Sequence, residues 1–133
     1  LPGHIDTLKK YWGYNSFRPL QEDIIKSVLD RRDTLGLMPT GGGKSLTFQV
    51  PAMTVPGICV VVTPLIALMQ DQVENLKKLG IKATAIHSGC SREEILAIPA
   101  EFYLRMGLHQ SDRTALCERL LEVPSRAPTS FPA

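Results

Sequence analysis

One stretch indicates the fold class of this 133-residue chain: Met38-Pro39-Thr40-Gly41-Gly42-Gly43-Lys44-Ser45. Its glycines allow the backbone to turn tightly and to direct several N–H groups into one concavity, which suits the oxygens of a phosphate group. Lys44 then neutralises the outer phosphates of a nucleotide, and the Ser45 hydroxyl ligates the Mg²⁺ ion that accompanies them. The stretch therefore predicts a phosphate loop, with residues 40–45 as its nucleotide-binding residues.

The match to the phosphate-loop pattern G-x-x-x-x-G-K-[ST] has one departure, because Met38 stands where the first glycine is expected. The alternative interpretation is a glycine-rich turn with an exposed lysine. The segments on either side of this stretch favour the phosphate loop. Residues 34–38 are predicted as a short buried strand, and residues 45–50 as a short helix stopped by Pro51, whose N-terminus adds partial positive charge at the phosphate site.

Two helices are predicted before the loop. The first spans residues 6–12 and ends at Gly13, a natural helix stop. The second has Pro19 as its first residue, a position that suits the fixed φ of proline. Its apolar side is predicted to carry Leu20, Ile24 and Val28, with Ile25 and Leu29 beside them.

The chain after the loop alternates between strands and helices. Residues 58–63 form an apolar run typical of a strand buried in a parallel sheet, and residues 81–86 are predicted as another short strand. Residues 65–79 carry one apolar helical stripe, and Gly80 is predicted to cap that helix. A further helix begins at Ser91 with the spacing of a capping box. The order predicts an α/β fold, a phosphate-loop parallel sheet with helices on both faces, incomplete in this chain.

Ligands of such sheets bind at the carboxyl ends of the strands. The phosphate loop, Thr63-Pro64 and His87-Ser88-Gly89 each follow a predicted strand. We therefore expect these three segments to share one functional rim.

Composition narrows the class of protein. At 133 residues and 44% hydrophobic content, the chain is long enough for one core. A net charge of +2 permits nucleic-acid binding without arguing for it. Neither a membrane span nor a signal-peptide layout is visible, which predicts a soluble, cytoplasmic protein, associated with the nucleoid if the source is bacterial.

The three cysteines, Cys59, Cys90 and Cys117, are far apart in the chain. Their number and spacing predict neither a disulfide framework nor a zinc site. Cys59 lies in an apolar run and is predicted to be a small buried hydrophobic residue.

The pattern changes after Ile98, so residues 1–98 and 99–133 are predicted as separate regions. Residues 99–123 show patches of helical periodicity, and residues 124–133 are rich in proline and serine, which predicts disorder. A truncated or frame-shifted gene product would explain the change.

Four segments together resemble the RecQ family of DNA helicases in helicase superfamily two. They are residues 13–21, residues 37–45 together with 49–52, the run Val62-Thr63-Pro64-Leu65-Ile66-Ala67-Leu68-Met69-Gln70-Asp71-Gln72, and residues 87–89. The resemblance implies a RecA-like motor domain that uses ATP and Mg²⁺. Members of this family tolerate a residue other than glycine at the position of Met38.

The resemblance also implies roles for residues upstream of the loop. Tyr14 and Arg18 would sandwich the adenine base, and the Gln21 amide would pair with its edge. The alternative is that Tyr14 and Gln21 cap and pack the second helix.

Thr63-Pro64-Leu65 matches the family element that contacts the backbone of single-stranded DNA. The resemblance thus implies single-stranded or partly duplex DNA as a partner. An ordinary strand-to-helix turn is the alternative interpretation. His87 is interpreted as a structural loop residue.

A helicase of this kind also needs an apolar strand ending in Asp-Glu, and the chain has no such strand. No catalytic residue is therefore assigned. Three hypotheses remain: an ATP-dependent DNA helicase unwinding DNA 3′ to 5′, a non-catalytic binding fragment, and a phosphate-loop ATPase or kinase unrelated to DNA.

Overall fold

The computed structural model describes residues 3–99 and Phe102. Five helices are present in this part of the chain: α1 His4–Trp12, α2 Gln21–Leu29, α3 Leu46–Thr54, α4 Ile66–Lys78 and α5 Arg92–Leu96. The chain divides into two compact units, residues 1–62 with α1 to α3 and residues 63–133 with α4 and α5. Each unit is described by itself.

The core of the first unit takes one side chain from each of its helices. Leu8, Ile25 and Val50 are fully buried and in mutual contact. Aromatic and aliphatic side chains that are partly buried pack around them: Trp12, Phe17, Leu29 and Leu46. Burial of this apolar surface holds the three helices together, because burying such a side chain stabilises by about 1.5–3 kcal/mol.

α1 ends where the sequence predicts. Gly13 adopts a left-handed conformation with φ of 73°. Its N–H donates to the carbonyl oxygens of Leu8 and Lys9, both at 3.1 Å. The helix starts at His4, two residues before the predicted start.

α2 starts later than predicted. Pro19 lies in a turn and Leu20, with φ of 71°, precedes the helix. The predicted apolar side is wrong in part, because Leu20 and Val28 are exposed. The buried line instead runs through Gln21 and Ile25, one helical turn apart.

α3 continues through Pro51, contrary to the predicted stop, and ends at Thr54. Pro51 removes one backbone donor, yet Val50 and Pro51 are both buried, so packing of this turn offsets the loss. The Thr54 hydroxyl donates to the Val50 carbonyl at 2.7 Å and to the Thr7 hydroxyl of α1 at 3.1 Å.

The three predicted strands are wrong for the described residues, which contain no β-strand. A strand is stabilised by hydrogen bonds to a neighbouring strand, and no strand lies beside these segments in the part of the chain that the structure describes. Leu35 is 86% exposed and Val62 is 93% exposed. Cys59 is exposed as well, which corrects its predicted burial.

Capping in the second unit follows the sequence. Gly80, with φ of 76°, donates to the Lys77 carbonyl, and the Ile81 N–H donates to the Leu76 carbonyl, both at 3.0 Å. These two bonds form a Schellman motif at the end of α4. No residue of α4 is buried.

α5 begins with the predicted capping box. The Glu94 N–H donates to Ser91 Oγ at 3.1 Å, and the Ser91 N–H donates to Glu94 Oε2 at 2.7 Å. The bond from the Ser91 backbone lowers the pKa of the Glu94 carboxyl group, because it stabilises the charged form.

The predictions for residues 99–133 lie outside the described residues, apart from Pro99 and Phe102. In the described part of the chain, every helix is too short or too polar to cross a membrane.

The core of the first unit provides a stability test. Replacing Ile25, fully buried, with alanine removes core contacts and leaves a cavity, so we expect a loss of about 2–5 kcal/mol in unfolding free energy. Val28→Ala on the exposed side of the same helix is the control and should cost less than about 1 kcal/mol. Urea unfolding followed by fluorescence of Trp12, the only tryptophan, measures both. Equal losses would contradict this core.

Candidate phosphate site

The loop before α3 has two left-handed glycines. Gly41 has φ of 79° and Gly43 has φ of 78°, a region that residues with a side chain adopt at a cost. Between them, the Gly42 N–H donates to the Pro39 carbonyl at 3.0 Å, which closes a tight turn. The glycine run predicted this local geometry.

Gln21 joins the start of α2 to this loop. Its side chain is 2% exposed. Its Oε1 accepts a hydrogen bond from the Arg18 N–H at 2.8 Å, and its Nε2 donates to the Gly43 carbonyl at 3.0 Å. The fit is tight, because a Cβ at Gly43 would lie 2.1 Å from Gln21 Nε2.

Arg18 makes a second bond to the loop. Its Nη1 donates to the Gly41 carbonyl at 2.7 Å. Arg18 and Gln21 therefore hold two alternate carbonyl groups of the loop. The resemblance to RecQ helicases implied that both residues belong to the nucleotide site, but nothing in the sequence indicated their contact with the loop backbone.

Several N–H groups of the loop have no hydrogen-bond partner within residues 3–99: those of Gly41, Gly43, Lys44 and Ser45. Ser45 also makes no side-chain cap at the start of α3. Unpartnered donors at a helix N-terminus carry partial positive charge and attract anions. The arrangement fits a phosphate chain.

Lys44 and Ser45 lie at the junction of the loop with α3. The Lys44 side chain is exposed and forms no ion pair in the part of the chain that the structure describes. Thr47 holds the Lys44 carbonyl through both its N–H and its hydroxyl. Sequence reasoning missed Thr47, although a threonine three residues after the lysine is a recognised pattern for such a bond.

Tyr14 lies apart from these contacts. It is 58% exposed, and its ring has no aromatic or cationic contact among the described residues. The structure thus brings Arg18 and Gln21 to the loop and leaves Tyr14 accessible just after α1.

A hydrogen bond between His4 and Glu22 links α1 to the start of α2. His4 Nε2 and Glu22 Oε1 are 3.0 Å apart, and Lys26 Nζ is 3.2 Å from the same oxygen. The hydrogen bond from His4, and then that from Lys26, lower the pKa of the Glu22 carboxyl group. These contacts fix the residue next to Gln21, and the sequence did not predict them.

In the second unit, Thr63 is half-buried, and Pro64 and Leu65 are exposed. Leu65 precedes α4 and makes no side-chain cap, so the first N–H groups of α4 are uncapped by this residue. His87 Nδ1 accepts from the Gly89 N–H at 3.1 Å, which supports the interpretation of His87 as a structural turn residue. The shared rim stays a prediction.

Comparison with known proteins identifies relatives. Residues 18–104 match the family described as DEAD/DEAH box helicase. The chain is 47% identical over 89 residues to the ATP-dependent DNA helicase RecQ of Synechocystis sp., a match that covers 67% of this chain and 19% of that protein. The corresponding values for the RecQ-like DNA helicase blm-1 of Caenorhabditis elegans are 51% over 81 residues, 61% and 8%.

A third relative is the probable ATP-dependent DNA helicase RecS of Bacillus subtilis, 46% identical over 89 residues, with 66% of this chain and 18% of that protein covered. The matches thus span less than a fifth of the length of these curated relatives. They confirm the resemblance to RecQ helicases.

The two left-handed glycines provide a matched pair of variants. Gly41→Ala meets no atom within 4 Å, so its cost is backbone strain of about 1–2 kcal/mol. Gly43→Ala adds the displacement of Gln21 and the loss of a buried hydrogen bond, for a total of about 2–5 kcal/mol. Urea unfolding of the two variants measures the difference. An equal cost would show that Gln21 does not pack against Gly43.

Proposed function

The chain belongs to the DEAD/DEAH box helicase family, and on that premise we propose that it supplies the ATP site of a DNA helicase that unwinds DNA 3′ to 5′. The family match supports the RecA-like class of fold, of which the described residues contain the helices and the phosphate loop. The names of its relatives support ATP and DNA as the ligands.

The observation that carries this proposal is the set of N–H groups that have no partner within residues 3–99, beside the exposed Lys44 side chain: those of Gly41, Gly43, Lys44 and Ser45. These donors and the ammonium group suit the negative charge of a triphosphate. Arg18 and Gln21 donate hydrogen bonds to the carbonyl oxygens of the loop. These oxygens therefore point toward protein donors and do not face the anion, which they would repel.

We assign the Ser45 hydroxyl as the metal ligand. A hydroxyl oxygen is a suitable ligand for Mg²⁺, which keeps several waters and binds phosphate oxygens beside one or two protein ligands. The ion supplies charge neutralisation on the phosphates. Ser45 is half-buried and lies next to Lys44 at the start of α3, which supports this assignment.

The base contacts are proposed on the RecQ resemblance. The exposed Tyr14 ring and the Arg18 guanidinium group offer flat surfaces for adenine. Gln21 would pair with the adenine edge only after its two hydrogen bonds, from the Arg18 N–H and to the Gly43 carbonyl, are broken. Those bonds match the alternative in which Gln21 caps and packs α2.

For DNA, we propose Thr63, Pro64 and Leu65 as contacts to the phosphate backbone. The exposed segment leads directly into α4, whose first N–H groups lack a side-chain cap from Leu65. A threonine hydroxyl and such N–H groups are ordinary donors to phosphate oxygens.

The second candidate is a fragment that binds nucleotide without turnover. An observation on the sequence favours it for the isolated 133-residue chain, which has no apolar strand ending in Asp-Glu. Phosphoryl transfer requires positioned charge around the metal and the attacking water. The family match argues against the third hypothesis, an ATPase or kinase unrelated to DNA.

Lys44→Ala tests nucleotide binding. The variant loses a charge-assisted bond to phosphate, so we expect the affinity for ATP with Mg²⁺ to fall roughly 10- to 100-fold in calorimetric titration. Lys9→Ala, which removes an exposed lysine of α1, is the control and should bind as the unchanged chain does. Equal affinity of the two variants would contradict the assignment of the phosphate site.

Turnover and DNA binding are tested together. We expect the isolated chain to bind ATP without measurable hydrolysis, with or without single-stranded DNA, in a phosphate-release assay. Thr63→Ala should weaken single-stranded DNA binding about equally for different base sequences, because backbone contacts carry no sequence information. DNA-stimulated hydrolysis abolished by Lys44→Ala would instead establish the chain as an autonomous enzyme.

A further inference from the structure

The segment that joins α1 to α2, residues 13–20, lies outside the helices and carries Tyr14 and Arg18. Its residues 14–17 make no backbone hydrogen bond within residues 3–99. Backbone bonding therefore does not fix the conformation of this connecting segment. Its side chains must do so.

His4, the first residue of α1, contacts both the connecting segment and the start of α2. Its ring stacks on that of Phe17, with the two centroids 5.7 Å apart and the planes 24° from parallel. Its Nε2 lies 3.0 Å from Glu22 Oε1. Because an ionised carboxylate can only accept a hydrogen bond, the imidazole nitrogen is the donor. At 21% exposure, the His4 side chain is largely covered in this position.

We propose that His4 is a positioning residue for the nucleotide site, which holds Arg18 in place through Phe17 and Glu22. The inference rests on the proposed function, since it concerns how that site is kept in shape. It assigns a role to α1, a helix that supplies no residue to the proposed site itself.

Phe17 is the first link between His4 and Arg18. It directly precedes Arg18, and its ring packs against the core of the first unit. Arg18 donates its N–H to Gln21 Oε1 at 2.8 Å and its Nη1 to the Gly41 carbonyl at 2.7 Å. Because both His4 and the core hold the Phe17 ring, the backbone that enters Arg18 is restrained, and its side chain stays directed at the loop.

Glu22 is the second link. It directly follows Gln21, whose Oε1 accepts the bond from the Arg18 N–H. Glu22 Oε1 is bound by His4 Nε2 and, at 3.2 Å, by Lys26 Nζ. Lys26 belongs to α2 itself, so of these two bonds only the one from His4 ties the start of α2 to another helix. Loss of His4 therefore loosens the chain on both sides of Arg18.

A second bond from α1 provides the matched control. The Thr7 hydroxyl, also on α1, accepts from the Thr54 hydroxyl of α3 at 3.1 Å. Thr7 is buried. Thr7→Val keeps the shape of the side chain and removes this bond, so it loosens α1 against α3 without removing either contact of His4.

The experiment measures the affinity of the full chain for ATP with Mg²⁺ by calorimetric titration. For His4→Ala we expect a loss of roughly fivefold, the size of one net hydrogen bond, whereas Thr7→Val should bind as the unchanged chain does. His4→Phe keeps a ring over Phe17 and loses the bond to Glu22, so its affinity should lie between those of His4→Ala and the unchanged chain. Urea unfolding of each variant gives the folded fraction under the titration conditions.

Two further readouts test the route through Arg18. In a chain that already carries Arg18→Ala, His4→Ala should cause no further loss of ATP affinity, because the two residues act in series. In the chain without ligand, hydrogen exchange at the Arg18 N–H should be faster in His4→Ala and unchanged in Thr7→Val.

The opposing outcomes are distinct. Unchanged ATP affinity in His4→Ala would overturn the inference, and so would an equal loss in Thr7→Val, which would assign the effect to the looseness of α1. An additive loss in the Arg18→Ala background would also overturn it. All three results leave the nucleotide site standing. If the unchanged chain does not bind ATP, the proposed function fails, and the inference fails with it.

Discussion

The two hydrogen bonds from the start of α2 to the carbonyls of Gly41 and Gly43 are the constraint on which the candidate site depends. They join residues more than 20 positions apart in the chain. The glycines themselves allow the left-handed conformations of the loop. These two bonds, in contrast, determine the direction in which the loop carbonyl groups point. A phosphate loop in which carbonyls faced the ligand would repel it, so orientation matters as much as the presence of glycine.

The bonds in turn depend on the helical core. Ile25 of α2 and Val50 of α3 are buried against each other and Leu8, which sets the distance between the start of α2 and the loop before α3. Because this core is built from helices alone, the loop keeps its shape in a first unit that contains no strand among its described residues. Gly36 lies against the same helix α2, since a Cβ there would lie 2.9 Å from Ile24 Cδ1.

The features that the sequence predicted correctly are those that depend on neighbouring residues in the chain. The helix ends at Gly13 and Gly80 and the capping box at Ser91 depend on residues within a few positions, so the pattern contains all the necessary information. The prediction of strands was wrong because an apolar run becomes a strand only beside another strand, and Leu35 and Val62 lie exposed instead. The contact between Gln21 and Gly43 was missed because no periodicity records a bond between a side chain and a distant carbonyl.

The distinction between local and distant residues also separates nucleotide binding from nucleotide hydrolysis. Groups that suit a phosphate chain are supplied by residues 18–47, within one unit and around one core. They need only be held in place, and the geometry of α2, the loop and α3 is sufficient to hold them. Hydrolysis requires in addition carboxylates that orient metal and water, and the strand ending in Asp-Glu that supplies them in such helicases does not occur in this sequence. The groups proposed to bind phosphate therefore lie in a short helical segment of the first unit, within residues 18–47.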